Sequence, residues 1–342
     1  MTRADCLALD ADDPLAGLRE GVLLPAGMLR LDADQLGPLT REARARLASF
    51  MHVEWGVAFS DGRGLVEAAT GKLAPLLGAP PEALGFAATA ADGLEALAAA
   101  AAATGHKRIL AAPGAFPDAL PRLVAKGLAI RETGAPEALL GNDALLLVGP
   151  VDPATGALRD IAAYARQAQE AGALAAFDLS EIVGALPAAL EHSGVGAALG
   201  RGCGFLCGGP GAPAWVHATG AFAPALAVLP APSAIALAAL DGALDMFAGV
   251  DVAALGWKAR TLAGLFLAAF GETDPLPPTS RGAHVVLACA EAEILCRALA
   301  VDGVHAHLAA PDRITFAFSP LTLSHVDAWD AGTAVNAVKA RL

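Results

Sequence analysis

The chain has 342 residues, 55% of them apolar but only 5% aromatic, with 35 acidic residues against 23 Lys and Arg and a formal net charge of −12. That length can bury a large α/β core beside a smaller terminal domain, whereas the acidic balance, with no run of Lys or Arg, excludes an electrostatic surface for nucleic acid or anionic membrane. Five cysteines in so long a chain do not make a disulfide framework.

Met1 to Cys6 is followed by acids rather than an apolar stretch, so it does not read as a secretory signal. Asp13 to Arg19 reads as a capped helix start, with Asp13 as N-cap and Pro14 at the first helical position. Thr40 to Phe50 and Leu65 to Leu77 have helical periodicity, the second closed by Gly78-Ala79-Pro80. Phe86 to Gly93 reads as a strand and loop leading into a helix from Leu94 to Thr104. Lys107 to Leu110 and Ala144 to Val148 read as strands, Asp160 to Ala171 as a helix and Ala173 to Phe177 as a strand. Strand, crossover helix, strand, repeated, predicts a doubly wound, mostly parallel sheet. The longest apolar run, Ala218 to Leu240, is broken by Pro224, Pro230 and Pro232, which argues against a membrane span. Helices are predicted over Ser233 to Phe247 and Ala253 to Phe270, then a Pro-rich linker over Gly271 to Ser280. A strand beginning at Ser280, a helix Glu291 to Ala300, and strands His305 to Leu308 and Ile314 to Phe318 complete a small α+β domain. The expected division is an N-terminal segment over 1–50, a large α/β domain over 51–270 and a small domain over 271–342. The expected location is the cytoplasm.

The most informative stretch is Gly202-Cys203-Gly204-Phe205-Leu206-Cys207-Gly208-Gly209-Pro210-Gly211-Ala212-Pro213, preceded by Phe177-Asp178-Leu179-Ser180-Glu181-Ile182-Val183-Gly184-Ala185. Together they resemble the cofactor floor of kynureninases, pyridoxal-phosphate (PLP) enzymes of the class V aminotransferase group and of fold type I. That family writes Trp-Asp-Leu-Ala-His-Ser-Ala-Gly-Ala before Gly-Cys-Gly-Tyr-Lys-Tyr-Leu-Asn-Gly-Gly-Pro-Gly-Ala-Pro, and its lysine forms the Schiff base with PLP. Glu54-Trp55-Gly56, Phe116-Pro117-Asp118 and the closing Ser319 to Asp330 also match family landmarks in order. The resemblance therefore implies the PLP-transferase fold type I, with the large and small domains above, and a homodimer or a heterodimer with an active relative.

The differences fall at the chemistry. The Gly-rich stretch is about two residues short and holds no lysine; the next along is Lys258, in a predicted helix. Of the family's phosphate-binding loop only Thr89 survives, and a loop of roughly thirty residues after His217 is missing by that comparison. Where the family places its substrate-carboxylate arginine this chain has Thr315, with Arg313 on the same strand face as a partial substitute. The resemblance assigns Asp178 to the pyridinium nitrogen, Phe116 to the ring face and Thr89 to the phosphate. With four losses together, the expectation is a binding or scaffolding paralogue without a PLP cofactor. The alternatives are a repurposed enzyme using Asp178, Glu181, Cys203 and Cys207, or a residual kynureninase-type C–C hydrolase with noncovalent PLP. Cys203 and Cys207 read chiefly as buried structural thiols. They are also candidates for a redox pair or for metal with His217 and Glu181, and His305-Ala306-His307 is a further pair of imidazoles. None of these makes a complete metal set, and Ser180 beside Glu181 has no His for a hydrolytic triad. The ligand is expected to be a small molecule of unknown identity.

Overall fold

The computed structural model describes residues 1–55, 63–271, 276–277 and 280–342. Gly56 and most of the predicted linker, residues 272–275 and 278–279, lie outside them. The chain begins with α1 (Arg3–Ala11), short strands β1 (Val22–Leu23), β2 (Leu29–Leu31) and β3 (Leu39–Thr40), and helices α2 (Arg41–Ser49) and α3 (Arg63–Leu77). There follow β4 (Leu84–Ala87), α4 (Ala90–Ala103), β5 (Arg108–Ala111), α5 (Leu120–Ala125), β6 (Ile130–Glu132), β7 (Ala144–Val148), α6 (Ile161–Glu170), β8 (Leu174–Asp178), β9 (Ala197–Arg201) and β10 (Ala214–Ala218). After α7 (Ala234–Ala243) and α8 (Val252–Phe270) come β11 (His284–Ala288), α9 (Ala292–Val301), β12 (Val304–Ala310), β13 (Arg313–Ala317) and α10 (His325–Lys339).

The large sheet has the order β4-β10-β9-β8-β7-β5-β6. Its pairs from β9 through β8, β7 and β5 to β6 are parallel, and β10 runs antiparallel to both neighbours. This is the doubly wound α/β architecture of fold type I. All five residues of β7 are buried, as an unbroken apolar strand covered on both faces requires. The Ala-rich α4 starts at Thr89, whose side chain accepts from the Asp92 amide, and lies so close to the sheet that a methyl at Gly93 would stand 2.9 Å from Val216 Cγ2.

A second sheet, β11-β13-β12-β2, takes its edge strand from the N-terminal segment, β2 pairing parallel to β12. It packs on α8, where Phe266 meets Phe316 and Phe318 at centroid distances of 4.7 and 5.3 Å. Helix α8 is long and apolar enough to cross a membrane, but half of that stretch is buried inside the protein, and Gly271 ends it in the left-handed conformation.

Two sequence expectations need correction at the N-terminus. Asp13 and Pro14 do not start an α-helix: Asp13 Oδ1 accepts from the Leu15 amide at 2.9 Å, and a 3₁₀ turn over Ala16–Gly21 follows. Its other oxygen is turned inward to Lys258, which overrides the local capping signal. The unforeseen α1 is set by a capping box, Thr2 with Asp5, and packs on α10.

Candidate active site

The parallel strands deliver their C-terminal ends to one cleft, where open α/β sheets bind their ligands. The turn after β5 brings Gly114, Phe116, Pro117 and Asp118, and β8 ends at Asp178 with Ser180 and Glu181 just beyond. Arg201 closes β9, and Ala90 marks the start of α4. The cleft continues over Asp34 and Gln35 to His284, His307 and Thr315 on the small sheet. It thus lies between the two sheets, with the N-terminal segment as a third wall.

Asp178 Oδ1 accepts from Ser180 N at 3.0 Å and from Ser180 Oγ at 2.5 Å. Oδ2 is left as the oxygen available to the cavity. Burial raises its pKa against the opposing Ser180 bonds and the Arg201 charge. Phe116 is buried with φ at 50°, in the left-handed region that a bulky residue occupies at a cost of order 1 kcal/mol or more. The bend, following Gly114 at φ 75°, turns the ring into the wall of the cavity.

Glu181 is half-buried, and burial pushes its carboxyl up to about 7, with Asp34 and Asp178 adding to the rise. His284 and Asp34 are each 1% exposed, with His284 Nε2 3.6 Å from Asp34 Oδ2, too long for a hydrogen bond. Burial lowers the His284 pKa, but the Asp34 and Glu181 carboxylates outweigh it and the net direction is upward. Neither His284 nitrogen has a hydrogen-bond partner, nor does Asp34 Oδ1. The cleft therefore holds carboxylates on both sides of a buried imidazole, with a group in Glu181 that changes charge near neutrality.

Several candidates from sequence fall elsewhere. The thiols do not join the cleft. Cys203 Sγ donates to Gln35 O at 3.4 Å, and Cys207 Sγ to Phe205 O at 3.6 Å. Burial raises both pKa values, Cys207 to about 12, so neither is an activated thiolate. Their loop is pressed onto the N-terminal segment: Gly37 N donates to Cys203 O at 2.8 Å, and a methyl on Gly204 would land on the Asp34 carbonyl oxygen. Thr89 is occupied by its own helix, its hydroxyl donating to Asp92 Oδ2 at 2.7 Å. Arg313 lies two residues down β13 from Thr315, opposite Ala288 and Ala310, and pairs with Asp312 at 3.4 Å; only Thr315 lines the cleft. Of the His pair on β12, His307 lines the cleft and His305 does not. His217 is buried against Val195 O at 3.1 Å, far from metal-ligand duty with Glu181.

Among the described residues one group has metal-like spacing, Asp10, Asp13 and His325, and it is already balanced by Lys258, 2.7 Å from Asp13. Lys258 is therefore outside the cleft, and none of the five lysines (Lys72, Lys107, Lys126, Lys258, Lys339) lines it. Sequence reasoning missed Arg201, His284 and Asp34. Arg201 carries no motif, and the other two are brought in by distant segments.

This topology and cleft define a protein of the PLP-dependent fold type I. Solved structures share the fold: the cysteine desulfurase CsdA of Escherichia coli has a TM-score of 0.79 at 16% identity, covering 96% of this chain and 99% of that one. An apo cysteine desulfurase from Thermococcus onnurineus gives 0.77 at 12%, covering 95% and 98%. A C-DES mutant with glycine covalently linked to its PLP cofactor gives 0.74 at 14%, covering 91% and 97%. Residues 264–335 match the kynureninase C-terminal domain. The kynureninase of Deinococcus radiodurans is 32% identical over 390 aligned positions, covering 97% of this chain and 95% of that protein. That of Pseudomonas fluorescens is 29% identical, covering 96% and 94%. The chain belongs to the kynureninase family. The Deinococcus alignment is longer than the chain itself, so the relative carries segments that this chain lacks.

The expectation that no cofactor is involved is overturned by these findings: kynureninase relatives and a PLP-bearing fold neighbour point to PLP. Asp178 and Phe116, the positions that the resemblance gives to the pyridine nitrogen and the ring face, both line the cleft. It offers no lysine amine for the aldehyde.

Proposed function

We propose that the cleft receives PLP through Asp178 and Phe116 without a bond to any lysine of this chain, so that the lysine-dependent C–C hydrolysis of the family is given up and the cleft serves as a ligand site. The carrying observation is the placement of the lysines: the single buried one, Lys258, is held by Asp13 under α8, and the other four are at least partly exposed and outside the cleft. The cofactor, when bound, supplies an electron-withdrawing ring beside a ligand amine. Asp178 would keep the ring nitrogen protonated, and the raised pKa of the empty carboxyl falls when that cation pairs with it. The test is incubation with excess PLP, desalting, and intact mass with and without borohydride. The expected result is a cofactor band that fades on long dialysis and no mass gain after borohydride. A phosphopyridoxyl adduct on any lysine, or turnover of L-kynurenine at ordinary kynureninase rates, would overturn the proposal.

A second reading, a repurposed enzyme, is supported by Glu181: a carboxyl at about 7 beside Asp178 can move a proton at neutral pH. We also propose a homodimer. Leu39, Met51, Val53, Trp55 and Ile235 are exposed, which supports cover by a second copy.

A further inference from the structure

We propose that Arg201 is the carboxylate anchor of this cleft, with His284 as second donor, for an α-amino acid ligand of the kind the family's name already implies. The inference deepens the reading of the cleft as a ligand site but does not depend on bound PLP.

The position of Arg201 is fixed by its backbone. It is the last residue of β9, in register with Ala214 of β10, and its amide donates to Ser180 Oγ at 3.0 Å. The same Ser180 hydroxyl donates to Asp178, so the guanidinium is rooted beside the pyridine carboxylate. Its side chain is 22% exposed and lines both halves of the cleft. Only Nη1 is engaged, at 3.3 Å from Gln35 Oε1 and 3.4 Å from Asp118 Oδ2, the long end of the hydrogen-bond range. Nε and Nη2 have no partner among the described residues. That edge of a guanidinium is the one that matches a carboxylate with two parallel bonds.

His284 supplies an independent observation. Its ring is 1% exposed, borders the cleft and has no hydrogen-bond partner at either nitrogen. A buried imidazole left in that state costs stability unless something completes it. A ligand oxygen in the cleft would do so, and the neighbouring Asp34 and Glu181 favour the protonated, donating form. The acids decide the rest of the ligand. Asp118 and Glu181 share the cleft with Arg201, and they disfavour a simple anion. A zwitterion answers both signs, its carboxylate on Arg201 and His284 and its ammonium toward Asp118 and Glu181. Arg201 thus lines the cleft from the large sheet, and Thr315, the strand position where the family resemblance places an arginine, lines it from the small one.

The experiment is calorimetric titration of the full-length protein, with and without PLP, using L-kynurenine and kynuramine, which differ by the carboxylate. The wild type is expected to bind L-kynurenine at least ~10-fold more tightly than kynuramine, and Arg201→Gln to weaken L-kynurenine by ~10- to 100-fold while kynuramine stays within about twofold. Arg201→Lys, which keeps the charge and loses the fork, is expected to fall between. Equal affinity for both probes in the wild type, no binding of L-kynurenine, or an Arg201→Gln protein that binds it unchanged would each overturn the proposal. Loss of PLP retention with the probe preference intact would instead sink the cofactor reading alone.

Discussion

Replacing Lys258 by Met separates a structural amine from a cofactor amine. Lys258 Nζ lies 2.7 Å from Asp13 Oδ2, with the side chains 1% and 2% exposed. Burial pulls the lysine pKa below its ordinary value, and Asp13 opposes that fall. Removal of the amine strands the Asp13 carboxylate in the interior, and breaking such a pair from one side costs about 3–5 kcal/mol. Unfolding entropy scales as roughly 2.1 cal/mol/K per residue, so a chain of this length loses about 0.7 kcal/mol per degree and Tm should fall by ~4–7 °C. The double variant Lys258→Met/Asp13→Asn strands no charge and should recover more than half of the loss. Scanning calorimetry of the wild type and both variants, with PLP retention measured in parallel, checks the reasoning. An unchanged Tm in Lys258→Met would refute the buried-pair argument. Loss of a borohydride-fixed adduct in that variant would show that this amine reaches the cleft after all.

Glu181→Gln should stabilise the protein at pH 8 and not at pH 4. The folded pKa stands near 7 against 4.5 for a free glutamate, so its stabilising proton is fully present below the unfolded value and lost as pH rises through 7. The displacement corresponds to about 3 kcal/mol at most, readable in urea midpoints across pH. Asp10 has the opposite sign. Burial raises its pKa, but bonds from His325 N, Val326 N and His325 Nδ1 at 2.7, 3.0 and 2.9 Å outweigh it and hold the carboxyl low. Its contribution is therefore present above the ordinary carboxylate range and lost as pH falls through the folded value, and Asp10→Ala should cost about 2 kcal/mol at pH 7 and flatten the acid limb of stability. Gly204→Ala should cost about 2–3 kcal/mol in urea unfolding, because its methyl collides with the Asp34 backbone and a main-chain atom cannot step aside. Light scattering should give twice the monomer mass, and Trp55→Asp should shift it toward monomer if the exposed apolar residues of the turn after α2 meet a second copy.

Most of the sheet was legible because its strands are continuous apolar runs between helices, and Ala144 to Val148 is observed at the predicted bounds. Asp178 was legible for a related reason: a buried strand that ends in an acid places that acid at the mouth of a parallel sheet. The groups that shape its chemistry were not. Arg201 follows an Ala-Ala-Leu-Gly run with no punctuation, and only the pairing of β9 between β8 and β10 turns its side chain toward Asp178. His284 sits in an ordinary strand pattern, and Asp34 in the loop between β2 and β3. Their encounter requires the N-terminal segment to reach the small sheet through β2, a pairing of Leu29–Leu31 with residues 304–306 that no local periodicity announces. The thiols, whose spacing reads chiefly as structural and only secondarily as a redox or metal pair, are held by close packing of Gly37 on Cys203 and Cys207. The losses and the gain thus concern one volume: a chain with no lysine amine in its cofactor floor has placed a fixed, partly unused guanidinium at the end of the neighbouring strand. A guanidinium holds its proton and forms no bond to an aldehyde under these conditions. On the reading proposed above, the exchange would turn the centre of the cleft from a place that bonds its ligand covalently to one that grips it by charge.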